Sequence, residues 1–103
     1  MPRRSPHSHG RSEFWSRPDV VARIEREQQA LGQRVKRLRE RAGLTQEALA
    51  EHAGVHAKHV QRIEGGQGNP QLATLVAISK ALATTVGRLF GVGWGDSDRG
   101  GRA

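Results

Sequence analysis

Apolar residues recur along this chain at spacings of three and four. From Pro18 onward, Val21, Ile24, Gln28, Leu31, Val35, Leu38 and Ala42 fall on one stripe, and charged residues fill the other faces. That period predicts a helix. Ser16 is placed to cap it, with Pro18 in its first turn. Gly32 interrupts the stripe at a cost of about 1 kcal/mol relative to Ala. The pattern therefore predicts either one long helix or two pieces that break near Gly32. Gly43 is placed to end it as a left-handed C′ residue.

The later elements are shorter. Thr45 is placed to cap a second helix with Leu49, Ala50 and Ala53 turned inward, and Gly54 stops it. His56 to Glu64 forms a third helix, with Val60 and Ile63 on the inner side. Gly65, Gly66, Gly68, Asn69 and Pro70 make a loop. Leu72, Leu75, Ile78 and Leu82 mark a fourth helix. Thr85 caps a short fifth that is expected to bury Val86, Leu89 and Phe90. No strand-like alternation and no internal repeat is visible, so the expected class is all-α.

Composition narrows the functions open to such a bundle. The chain has 103 residues, no cysteine, 17 Lys+Arg and 10 Asp+Glu, for a net charge of +7. Absence of cysteine excludes a disulfide scaffold, a Cys-ligated zinc site and a thiol nucleophile. No apolar run reaches the roughly 18 residues of a membrane-spanning helix. Met-Pro-Arg-Arg is not followed by the apolar core of a secretory signal. A cytoplasmic protein is expected.

The charge is unevenly placed. Residues 1–17 hold four Arg and one Glu, residues 18–30 two basic and three acidic groups, residues 31–90 nine basic and four acidic groups, and residues 91–103 balance. The surplus therefore sits in the folded segment and in the N-terminal arm, as a polyanion-binding protein requires. This divides the chain into a disordered basic arm (1–17), a helical extension (18–30), a basic helical domain (31–90) and a flexible tail (91–103).

The joint between the second and third helices is the most informative feature. Ala50 and Ala53 are small enough for the next helix to cross closely. Gly54 permits a sharp turn through positive φ. Val55 and Val60 close a small core, which leaves the outer face of the third helix on a convex surface that fits a DNA major groove. The segment Leu38-Arg-Glu-Arg-Ala-Gly-Leu-Thr-Gln-Glu-Ala-Leu-Ala-Glu-His-Ala-Gly-Val closely resembles the Cro/cI-type helix-turn-helix family, also called the XRE family. The resemblance continues through Arg62-Ile-Glu-Gly-Gly, Asn69-Pro and Leu72 to Phe90, and covers about residues 31–90.

The resemblance implies a compact five-helix bundle of the phage-repressor type that binds operator DNA as a dimer and regulates transcription. It places Gln46 on a DNA phosphate, where the helix N-terminus would assist. It places Ala57, Lys58 and Arg62 toward base edges, with His56 and Gln61 beside them. We assign Gln61 with the base contacts and His56 with the phosphate contacts. Arg62 suits bidentate bonding to guanine O6 and N7, and Ala57 offers a methyl contact to thymine. Gln67 and Asn69 match a phosphate-touching loop. Arg39 and Glu64 are expected to pair across the first and third helices as a structural ion pair. Four positions depart from the family pattern: His56 in place of a small polar cap, Ser79 in place of a small apolar residue, Ala83 in place of glycine, and Thr84 in place of an apolar residue.

Other functions compete with this one. The same fold serves antitoxins and bridging coactivators, and the stripe from Val20 to Leu31 offers a surface for a toxin-like partner or a second copy. The arm (Arg3, Arg4, Arg11, Arg17) could follow a minor groove or phosphates. His52, His56 and His59 lack a completing carboxylate or thiol, so no metal and no cofactor is expected. Catalysis has little support. No nucleophile–base pair appears, and Gly65-Gly-Gln-Gly-Asn-Pro lacks the lysine and Ser/Thr of a phosphate-binding loop.

Overall fold

The computed structural model describes residues 16–93. They form five helices: α1 (Pro18–Arg41), α2 (Gln46–Ala53), α3 (Ala57–Glu64), α4 (Leu72–Ala81) and α5 (Val86–Leu89). No strand occurs among the described residues. The expectations for the arm before Ser16 and the tail after Gly93 lie outside them.

α1 is one continuous helix of 24 residues, so Gly32 is not a break. Its role is close approach. A Cβ at Gly32 would overlap the Ile63 carbonyl oxygen and come within 2.9 Å of the Glu64 carbonyl oxygen. The absent side chain lets α1 lie directly on the last turn of α3. The start of α1 differs from expectation. Its N-cap is Arg17 in extended conformation, with no side-chain capping bond, and Pro18 supplies the first-turn φ instead of a Ser16 cap.

The helix ends follow their local chemistry. Gly43 takes φ +74°, and the N–H groups of Gly43 and Leu44 return to the carbonyls of Glu40 and Arg39 at 3.0 and 3.1 Å. This is a Schellman closure. The Thr45 hydroxyl accepts from Ala48 N–H at 3.0 Å. Gly54, also at φ +74°, turns the chain so that Val55 N–H reaches the Ala50 carbonyl at 3.0 Å. His56 replaces the usual small cap effectively, because its Nδ1 accepts from Lys58 N–H at 3.1 Å.

α4 closes with the same geometry as α1, but without a glycine. Ala83 takes φ +58°, and Thr84 N–H bonds to the Ser79 carbonyl at 2.9 Å. A left-handed non-glycine residue costs about 1–2 kcal/mol, and the closing bonds hold it there. Ser79 is buried, yet its hydroxyl donates to the Val76 carbonyl at 2.8 Å, so no polar group is left unpaired there.

The core draws on every helix: Leu31 and Val35 from α1, Leu49 and Ala50 from α2, Val60 and Ile63 from α3, Leu75 and Ile78 from α4, and Leu89 from α5. Two apolar positions of the helical pattern stand outside this core, Phe90 against the expectation that α5 buries it. Leu72 is 67% exposed and Phe90 is 39% exposed. Leu72 opens the first turn of α4, ahead of the buried Leu75 and Ile78, and Phe90 follows the buried Leu89 where α5 has already ended. The periodicity located these helices but not the limits of the surface that covers them. No helix among the described residues is long and apolar enough to cross a membrane.

Candidate nucleic-acid interface

α3 is sharply two-sided. Val60 and Ile63 are buried, whereas Lys58, His59, Gln61 and Arg62 are exposed. Of the residues expected at base edges, Lys58, Gln61 and Arg62 stand on the outer face. Ala57 is half-buried and packs against the core, so only part of its methyl group faces outward.

A buried ionic network fixes the attitude of this helix. Arg39 of α1 meets Glu64 of α3 through two parallel bonds, Nε to Oε2 at 2.6 Å and Nη2 to Oε1 at 2.9 Å. The Glu64 side chain is only 4% exposed and that of Arg39 11%. Arg39 Nη1 also donates to the Leu44 carbonyl at 2.7 Å, which ties in the turn before α2. Donation of hydrogen bonds to the Glu64 carboxylate, opposed by desolvation, raises the guanidinium pKa above its ordinary value. A raised pKa on a cation gives stability that is present below the unfolded-state value and lost only as pH rises through the folded one. For Arg39 that loss falls in strong alkali, so its share of the pair is constant through neutral pH.

Gln46 belongs to the same network. Its Nε2 donates to Glu64 Oε1 at 2.9 Å, so the amide is oriented from within, at the N-terminus of α2. A carboxylate can only accept here, which settles which end of the amide faces it. One N–H of the amide therefore remains for an acceptor outside. His56 is similar. Because Nδ1 accepts the capping bond, the neutral ring carries its proton on Nε2, and that N–H is the donor a phosphate would need. The other two residues expected on phosphates, Gln67 and Asn69, are exposed in the loop after α3.

That loop and α3 enclose a concave groove of about 320 Å³, lined by Lys58, His59, Arg62, Gln67, Asn69 and Thr74 among others. The Arg62 guanidinium lies over Gly68. A Cβ built on Gly68 would stand 3.0 Å from Nη2 and 3.3 Å from Nε. Gly68 has φ +76°, so it needs to be glycine on both counts. Basic groups on a helix edge beside a polar loop can bind anionic backbone and base acceptors. Among the described residues, no group of three or more His, Cys, Asp or Glu side chains comes together to hold a metal.

A further contact to this region comes from outside the expected site residues. Gln28, on the upper part of α1, donates from Nε2 to the Gly68 carbonyl. The signal was present: Gln28 is a polar residue in the apolar register between Ile24 and Leu31.

Comparison with known proteins places this arrangement. The family described as helix-turn-helix domain matches residues 30–89. The chain is 39% identical over 61 residues to the immunity repressor protein of Bacillus phage phi105, covering 59% of this chain and 42% of that protein. It is 37% identical over 60 residues to the control protein C.SmaI of Serratia marcescens, covering 58% and 71%. Among solved structures it is similar to the restriction-modification controller protein C.AhdI of Aeromonas hydrophila, with a TM-score of 0.59, 35% identity, and coverage of 61% of this chain and 96% of that one. A transcriptional regulator of the HTH_3 family from Vibrio cholerae aligns with a TM-score of 0.62 and 27% identity, over 68% of this chain and 39% of that one. The chain thus spans less than half the length of the phage repressor and of the Vibrio regulator.

Proposed function

Because the chain belongs to the helix-turn-helix domain family, we propose that it is a sequence-specific DNA-binding transcriptional regulator that reads the major groove with α3. The observation that carries this reading is the outward face of α3, bearing Lys58, Gln61 and Arg62 and locked in attitude by the Arg39–Glu64 pair. In this reading those three residues and the methyl group of Ala57 meet base edges. Gln46, His56, Gln67 and Asn69 hold phosphates on either side. Phosphate contacts set the register, and base contacts select the sequence.

Two copies on a near-palindromic operator would place their α3 helices about 34–36 Å apart, one turn of DNA. The exposed Leu72, Val76, Phe90 and Val92 support association of this kind. The relatives named repressor and controller support regulation by occupancy of the site, and the expected setting is the cytoplasm. A partner protein such as a toxin is a second reading. It is favoured by the half-buried Val20, Val21 and Ile24, on the part of α1 that lies before the family match.

A band-shift titration over random genomic fragments, repeated at several salt concentrations, tests the proposal. A small subset of fragments should bind selectively, with affinity falling steeply as salt rises because each neutralised phosphate releases counterion. Equal binding to all fragments would remove the specificity claim.

A further inference from the structure

Two glutamines of α1 back the loop that follows α3. Gln28 donates to the Gly68 carbonyl. The Gln29 amide lies so close to Gly66 that a Cβ there would stand 2.7 Å from its Nε2. Gly66 and Gly68 both take positive φ, at +73° and +76°. The loop is also tied to α3, since Gln67 N–H bonds to the Arg62 carbonyl at 2.9 Å. The bare face of Gly68 then supports the Arg62 guanidinium. A continuous line of contact runs from α1 through one peptide unit to the cation on the outer face of α3.

An arginine on an open helix face loses much rotamer freedom when it binds. A guanidinium resting on a fixed peptide surface has less to lose, and it presents its planar donors in a defined direction. We propose that Gln28 is a positioning residue for base recognition: by fixing the Gly68 peptide it sets where Arg62 points, and so sharpens selectivity at the base pair Arg62 reads. The inference rests on the reading of Arg62 as a base-contacting residue. Gln28 lies before residues 30–89, so the device belongs to the part of α1 outside the family match.

The test selects bound DNA from a random pool with the full chain and four variants, Arg62→Ala, Gln28→Met, Gln28→Lys and the double variant Gln28→Met/Arg62→Ala, with thermal melting recorded for each. Arg62→Ala should flatten preference at one base pair per half-site by roughly tenfold. Gln28→Met keeps the bulk and removes the donor. It should weaken preference at that same base pair by about two- to tenfold, the worth of one net hydrogen bond. Its salt dependence should match that of the parent, since the substitution removes no cation from the DNA-facing surface. Gln28→Lys restores a donor and should recover part of the preference, and the double variant should behave as Arg62→Ala alone.

Unchanged preference in Gln28→Met would overturn the positioning role. So would a loss spread evenly over all positions, which is what simple loosening of the fold produces. If Arg62→Ala itself leaves every preference intact, the base-contact reading fails first and this inference falls with it. The two failures are therefore told apart in one experiment.

Discussion

The two halves of α1 share one helix and one stripe, but they do different things. Residues 31–41 bury Leu31, Gly32 and Val35, and they carry Arg39 into its pair with Glu64. Residues 18–30 bury none of their side chains fully. What they contribute is polar: Gln28 and Gln29 reach the loop beside Arg62. An amphipathic pattern thus states that a helix has an inner face, not what that face meets. The lower half holds the bundle together, and the upper half touches the edge of the proposed DNA surface.

The contrast can be broken by substitution. The largest effect should come from the lower half, at the ion pair. Arg39→Ala leaves Glu64 buried without its cation and should cost about 3–5 kcal/mol, read as a large fall in melting temperature. A change of only a degree or two would show that the pair is effectively solvated.

Next comes a matched pair of truncations. Leu31→Ala opens a cavity beside Val35 and should cost about 2–5 kcal/mol. Ile24→Ala, two turns earlier on the same stripe, should cost about 1 kcal/mol or less, as its side chain is only half-buried. Equal losses in urea unfolding would erase the distinction between the halves.

Gly32→Ala sits at their boundary. On helix propensity alone it should stabilise α1 by about 1 kcal/mol. The Ile63 and Glu64 carbonyls leave no room for the methyl group, so α1 and α3 must separate, and a net loss of about 1–3 kcal/mol is expected. Stabilisation in the same unfolding assay would mean that the close crossing is not maintained in solution.

The smallest effect is a gain away from α1. Ala83→Gly relieves a left-handed backbone and should stabilise by about 1 kcal/mol. That calibrates how much local strain contributes beside the packing terms above. No gain in calorimetry would place Ala83 outside that strained conformation.

Local chemistry made most of the fold legible. Gly43, Thr45 and Gly54 announce helix ends because their conformational and capping preferences act within a few residues. Leu72, Phe90 and Gly32 were harder for a common reason. Each depends on what lies across the bundle, and periodicity carries no such information. Gly32 as a possible break and Gly32 as a crossing point have the same sequence signature until Ile63 is seen opposite. The ends of α1 make the same point on a smaller scale: Arg17, not Ser16, occupies the cap, where Pro18 already fixes the first turn.

The candidate site was legible to a different depth. Lys58, Gln61 and Arg62 followed from resemblance and from the outer phase of a two-sided helix. The bond from Gln46 to Glu64 spans 18 residues, and that from Gln28 to Gly68 spans 40. Neither partner could be named from local pattern. Only the anomaly of a glutamine in an apolar register hinted at the second.

The central claim is that the outer face of α3 meets bases in the major groove, and methylation interference on a selected binding site tests it most directly. Guanine N7 methyl groups lie in that groove. They should block binding at a few guanines in each half-site, and Arg62→Ala should become insensitive at one of them. Interference confined to minor-groove positions, or an identical pattern with Arg62→Ala, would contradict the account.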